Sequence, residues 1–144
     1  MGKAIETCNN ILALIFNATA WADIAENDTS GPLTNLYLAL YTADPGTGGD
    51  PRTNEATYTG YARKAVARTV GGWLAPVGGV TKNTALAQFI ECSGGSNSIT
   101  HIAIVTTSSG DGDVLYSGAL ASPRTISAGI QPQFAAEALT VTEA

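Results

Sequence analysis

Few side chains in this 144-residue chain could do chemistry: one histidine, two cysteines and two small carboxylate groupings. His101 sits in the alternating run at residues 99–106, on the side of Ala103 and Val105. A Ser/His/Asp hydrolase would need a placed serine, and no G-x-S-x-G elbow is present. Asp111-Gly112-Asp113 looks like a fragment of a calcium loop, but the later ligands are missing and a strand pattern begins at once. It reads as a turn with two solvated aspartates. Asp44, Asp50 and Glu55 share one long loop, which does not promise the fixed separation that acid/base pairs require; solvation or salt bridging is the expectation. Gly46-Thr47-Gly48-Gly49 lacks the Lys-Ser/Thr of a phosphate loop and opens no helix, so it is loop punctuation. Cys8 and Cys92 have neither CxxC spacing nor a framework of further cysteines, and read as small, buried, reduced hydrophobes. No catalytic, cofactor-binding or metal-ligating residue is assigned, and the chain is read as not an enzyme. His101 is kept as the test of a distant hydrolase reading.

Basic residues give the one grouping with binding potential. Arg52, Arg63, Lys64 and Arg68 are four of the seven Lys and Arg, flanked by Tyr58, Tyr61 and Trp73. Asp50 and Glu55 offset them, and the aromatics are not interleaved for base stacking. The net charge of -5 also argues against a phosphate partner. Arg52, Tyr58, Tyr61, Arg63, Lys64, Arg68 and Trp73 are therefore read as a candidate protein–protein interface, with core filling the competing role for Trp73.

The elements around these residues are mostly strands. Residues 3–17 read as a helix, with Ile5, Cys8, Leu12 and Ile15 spaced three and four apart. Ile11, Leu14 and Phe16 widen its apolar arc, and residues 18–26 read as a second short helical piece. Residues 27–32 stop both with turn formers and Pro32. Residues 36–42 form the clearest strand: Leu36, Leu38 and Leu40 on one face, Tyr37, Ala39 and Tyr41 on the other, so both faces need cover. Residues 43–59 are a long polar loop, either a binding arm or partly disordered. Further strands are expected at 61–70, 83–90, 99–106, 113–120, 124–127, 131–135 and 139–142, with Pro132 marking an edge. The expected fold is mainly β: an antiparallel, jelly-roll-like β-sandwich with an N-terminal α-helix. It is expected as a single domain over 1–144, with an N-terminal helical segment at 1–30 and the sandwich at 33–144. No signal peptide is evident, no apolar run is long enough for a membrane span, and synthesis in the host cytoplasm is expected.

Several segments, in order, carry a resemblance. They are Asn35-Leu36-Tyr37-Leu38-Ala39-Leu40-Tyr41-Thr42-Ala43-Asp44-Pro45-Gly46, Glu55-Ala56-Thr57-Tyr58-Thr59-Gly60-Tyr61-Ala62-Arg63 and Thr69-Val70-Gly71-Gly72-Trp73. Leu115-Tyr116-Ser117-Gly118-Ala119-Leu120, the close at Leu139-Thr140-Val141-Thr142-Glu143 and the N-terminal Leu14-Ile15-Phe16-Asn17-Ala18-Thr19-Ala20 extend it along nearly the whole chain. The set resembles small phage virion structural proteins, often called tail-fibre proteins. Its size and strand pattern are also similar to capsid cement (decoration) proteins. The resemblance implies a structural role and brings no catalytic residues. As cement, the chain would sit on the outer capsid surface, bind the major capsid protein, self-associate as a dimer or trimer, and touch neither nucleic acid nor membrane. The alternative is a tail-fibre or tail-tip component with receptor or sugar recognition.

Overall fold

A computed structural model describes residues 2–21, 24–25, 32–46 and 50–144. Its elements are α1 (Ile5–Phe16), β1 (Asn35–Tyr41), β2 (Lys64–Ala67), β3 (Val80–Lys82), β4 (Ala87–Gln88), β5 (Ser96–Val105), β6 (Val114–Ser127), β7 (Gln133–Phe134) and β8 (Thr140–Thr142). The chain is mainly β and antiparallel with one N-terminal helix, as its patterning requires. Strands pair in the orders β2-β1-β5-β6, β3-β8 and β4-β7. Contacts divide the chain into two compact units. One comprises Met1–Asn35, Val66–Ala87 and Phe134–Ala144; the other comprises Leu36–Ala65 and Gln88–Gln133.

The second unit is organised by β1, β5 and β6. β1 runs antiparallel to β5 with Ala39 opposite Ala103 and Tyr41 opposite His101. Period-two alternation puts Ala39, Tyr41, Ala103 and Val105 together in a buried cluster, with Tyr37 and Val114 against it. Leu36, Leu38 and Leu40 point the other way and are also buried. Both faces of β1 are covered, as an unbroken apolar run demands. The stretches at 113–120 and 124–127, expected as separate strands, are one continuous β6. It bulges between Ala119 and Arg124, opposite the step from His101 to Ile99 on β5. The bulge absorbs the extra residues and keeps both halves in the ladder.

In the first unit α1 buries one seam, Cys8, Leu12 and Phe16, at i, i+4 and i+8. Asn17 donates to the Ala13 carbonyl, and Ala18 turns to φ 51°, ending the helix. The second helical piece is not seen in the described part of residues 18–26: Trp21 and Ala25 exchange both backbone hydrogen bonds as an antiparallel bridge. Ala22, Asp23 and Glu26, and the turn formers at 27–31, lie outside the described residues. A hairpin joins Trp73 to Asn83, and its tip is closed by two bonds between Val77 and Val80 around Gly78-Gly79. Both glycines have positive φ, 63° and 75°, as a two-residue turn matched to strand twist needs. β3 then pairs with β8, Thr81 opposite Val141.

Gly79 is held for a second reason. Its amide donates to Asn9 Oδ1 on α1 at 2.6 Å, and a Cβ there would lie 2.7 Å from the Glu143 carbonyl oxygen. A Cβ on Gly78 would meet nothing within 4 Å. Gly78→Ala should therefore cost about 1 kcal/mol of backbone strain, and Gly79→Ala about 2–4 kcal/mol, because strain and overlap add. Paired thermal melts check this; equal losses for the two variants would show that the helix contact is unimportant.

Candidate functional site

The interface set predicted from sequence is where charge and aromatics concentrate, and its geometry is built around Arg63. Gly60, at φ 96°, turns the chain so that Tyr61 donates back to the Tyr58 carbonyl. That turn aims Tyr61 and Arg63 toward Glu55. The Arg63 side chain is 1% exposed. Its Nε and Nη2 reach Glu55 Oε1 and Oε2 at 2.7 and 2.8 Å. Nη2 also donates to the Gly110 carbonyl at 3.0 Å, and Nη1 donates to the Thr107 carbonyl and Oγ1 at 3.0 and 2.9 Å. All five guanidinium donors are met, the condition under which a buried cation is tolerated.

Two tyrosines complete the cluster. Tyr61 donates its hydroxyl to Glu55 Oε1 at 2.8 Å and accepts from the Leu40 amide at 3.1 Å. Tyr41 donates to the Pro51 carbonyl at 2.9 Å. Burial, then the Glu55 charge, holds the Tyr61 hydroxyl far above the ordinary phenol range. The same causes push Tyr41 up to about 12. The bidentate bond to Glu55 raises Arg63 further against the opposing effect of burial. Loop 43–59 is thus fixed at its described ends. Thr42 donates to the Asn54 carbonyl, Ala56 to the Leu40 carbonyl, and Asn97 Oδ1 accepts from the Thr57 and Tyr58 amides at 2.7 and 2.8 Å.

The remaining members of the set divide between the units. Tyr58 is buried, donates to the Ile90 carbonyl and packs edge-on against Tyr61, which stacks on Phe89. Arg52 is exposed and paired with Asp50 and Asp111 at 3.1 and 2.7 Å; hydrogen bonds from Arg52 hold the Asp50 carboxyl below its usual range. Lys64 opens β2, half-buried. In the other unit, Arg68 donates to the Leu14, Ile15 and Leu33 carbonyls at 2.7, 2.6 and 2.8 Å, capping α1. Trp73 is fully buried, edge-on to Phe16 at 4.7 Å. The structure brings Tyr58, Tyr61 and Arg63 together around Glu55 and leaves Arg52 facing solvent. Arg63, Arg68, Tyr58 and Trp73 turn their side chains into their own units. Glu55, Thr107 and Gly110 are the partners that sequence reading did not assign. The usable signal was a Glu and an Arg eight residues apart across a Gly turn.

His101 Nδ1 lies 2.9 Å from Thr100 Oγ1. Cys8 and Cys92 are both buried and free. Among the described residues no group of three or more His, Cys, Asp or Glu could hold a metal ion, and no helix is long and apolar enough to cross a membrane.

A family model described as Podophage GP4 fiber I protein gp80 matches residues 7–142. No curated protein matches the chain.

Two measurements probe the cluster. Arg63→Ala should lower the unfolding free energy by about 3–5 kcal/mol, since it strands a carboxylate, and Arg63→Lys should recover only part of that because it lacks the planar fork. Denaturant unfolding reads both; a loss near that of an exposed ion pair would mean the cluster is not a clamp. The phenols give a pH signature. The folded-state pKa of Tyr41 is raised from 10.0 to about 12, so its contribution is complete below pH 10 and is lost as pH climbs toward 12. Tyr58 moves the same way, mainly through burial. The melting temperature should fall across that window, less steeply in Tyr41→Phe, and a flat profile would contradict the burial of these hydroxyls.

Proposed function

The chain belongs to the podophage GP4 fiber I protein gp80 family, and on that premise we propose that it is a fibre-type component of the tail that works as a passive brace. Membership makes it a virion structural protein. The observation that supports the brace reading is the use made of charged side chains. Arg63 and Arg68 serve internal pins, and Cys8 and Cys92 are both buried. A part that bears load needs fixed loops, and it needs no reacting group.

A capsid cement role is the second reading, favoured by the surface. Only 13% of residues are charged, and Val70, Val77, Leu86, Ile90 and Ile130 are exposed. Such a surface packs against protein subunits with few buried charges to desolvate. As cement the chain would bind the major capsid protein on the outer shell, and repetition over a symmetric lattice would let each contact be modest. In either place the expected partners are proteins, including further copies of the chain, with neither nucleic acid nor membrane involved.

Copy number separates the two. Quantitative mass spectrometry of purified particles should find a handful of chains for a tail part and hundreds for cement, and electron microscopy should place them accordingly. Absence from mature particles would overturn both readings.

A further inference from the structure

Glutamine is a long side chain, and holding one in place on a surface costs rotamer freedom. In the unit built on β1, β5 and β6, three exposed glutamines are held to one another. Phe89 donates its amide to the Pro132 carbonyl and Cys92 donates to the Ile130 carbonyl, so residues 88–92 run antiparallel beside 130–133. Phe89 and Pro132 are buried, and Gln88, Ile90, Gln131 and Gln133 between and beside them are exposed, the alternation of a one-sided ribbon. Gln88 Nε2 donates to Gln131 Oε1 at 2.9 Å and to Gln133 Oε1 at 3.4 Å, and Gln131 Nε2 donates to the Phe89 carbonyl at 3.0 Å. Gln88 Oε1 and Gln133 Nε2 have no hydrogen-bond partner among the described residues. One acceptor and one donor are thus left over side by side, flanked by Ile90 and Ile130 at 54% and 44% exposure.

The chemistry of this face selects its occupant. Residues 84–90 and 125–136 hold no charged side chain, with Glu91 and Arg124 just outside them. A nucleic acid would find no cation there, and a strongly charged protein would find no counter-charge. The exposed apolar groups are aliphatic, not the flat rings on which a sugar stacks, and Phe89 is buried. What fits is a neutral surface with a donor opposite Gln88 Oε1, an acceptor opposite Gln133 Nε2 and aliphatic groups beside them. The face itself meets that description, because an amide pair turned through half a revolution sets donor against acceptor. Two chains of net charge -5 also meet here without bringing like charges into the contact.

We propose that this glutamine face is the contact between two copies of the chain, docked about a twofold axis that runs between its two strands. The axis lays the strand with Gln88 and Ile90 in each copy over the strand with Ile130 and Gln133 in the other. Gln133 Nε2 of one copy then donates to Gln88 Oε1 of the other, and Ile90 meets Ile130, each contact made twice. The amides are ordered before docking, so little rotamer freedom remains to be lost. Five side chains make a small contact, weak for a free pair and effective when repeated over a particle. This contact deepens the multi-copy reading above and rests on it, for a tail or a shell location alike.

A complementary pair of variants tests it. Sedimentation equilibrium of the full chain should show a monomer–dimer equilibrium with a Kd on the order of 0.1 mM, the range of a small contact. Ile90→Asp and Ile130→Lys should each weaken it by about tenfold or more, since each sets an unpaired charge against an apolar side chain. Both positions are exposed, so both variants should fold, which circular dichroism checks. An equimolar mixture of the two should recover much of the loss, because the introduced acid then faces the introduced base while the second contact stays apolar. Val77→Asp, at an exposed position of the other unit, should leave the dimer unchanged. A wild type that stays monomeric at millimolar concentration, variants that associate as tightly as wild type, a mixture no tighter than its components, or an equal loss in Val77→Asp would each overturn the proposal. Particle incorporation is scored separately: a dimer in solution with no chain in particles would sink the virion role and leave this interface standing.

Discussion

A guanidinium taken out of water costs several kcal/mol unless each donor finds an acceptor in good geometry. Arg63 meets that demand with a carboxylate, a hydroxyl and two backbone carbonyls from two separate stretches of chain. The consequence is a constraint on everything nearby. Glu55 has to return to the end of β1, Tyr61 has to sit between Glu55 and the Leu40 amide, and residues 107–110 have to fold over the fork. An apolar side chain of similar volume could fill the space at comparable stability, yet it would leave the positions of these loops open. The ion pair therefore acts on arrangement more than on net free energy. The described parts of the long polar loop, costly in entropy to order, become part of the fold through residues outside it, Arg63 and Asn97 among them.

The other unit follows the same logic with weaker bonds. A helix of 12 residues is marginal alone. α1 has no basic residue in its last turn and no side-chain cap at its start. Arg68 supplies the missing C-terminal cation from elsewhere in the chain, bonding carbonyls the helix leaves unmet. Burial lowers its pKa from the usual value. Asn83 repeats the device: its amide donates to the Ala85 and Ala135 carbonyls and its Oδ1 accepts from the Leu139 amide, each at 2.8 Å. Trp73 is the exception, because its buried Nε1 has no hydrogen-bond partner among the described residues. Such an orphan costs about 1–3 kcal/mol. Burying the whole indole against Phe16 is of at least that size, so packing wins.

What the sequence disclosed follows from which forces are local. The doubly apolar β1, the seam of α1 and the glycine turns are fixed by periodicity and backbone sterics within a few residues, and they are legible. The end of α1 was less so: alanine and tryptophan at 20 and 21 favour helix, but Ala18 in the left-handed region diverts the chain. β6 read as two strands because Ala121-Ser122-Pro123 looks like a break, and only pairing with β5 shows it as a bulge. The surroundings of the basic residues were the least legible part. Spacing tells that Arg63 and Arg68 are cations; it does not tell that a carboxylate eight residues back and a helix end some fifty residues back would claim them. Exposure of a charged side chain is set by its partner, and the partner is non-local.

Charge accounting connects these pins to the surface. The chain has seven Lys and Arg. Lys3 pairs with Glu143, Arg52 with Asp50 and Asp111, Arg63 with Glu55 and Lys82 with Glu137, while Arg68 holds carbonyls. Lys64 and Arg124 alone have no such engagement among the described residues. Scarce cations are thus spent on internal geometry, and the surface is left to small polar and apolar side chains. A surface of that kind has little long-range field with which to steer a partner. Recognition then has to come from shape, from backbone edges and from repetition of the same contact. Those terms are weak for a single free molecule and strong in an ordered array, which is where a virion structural protein operates.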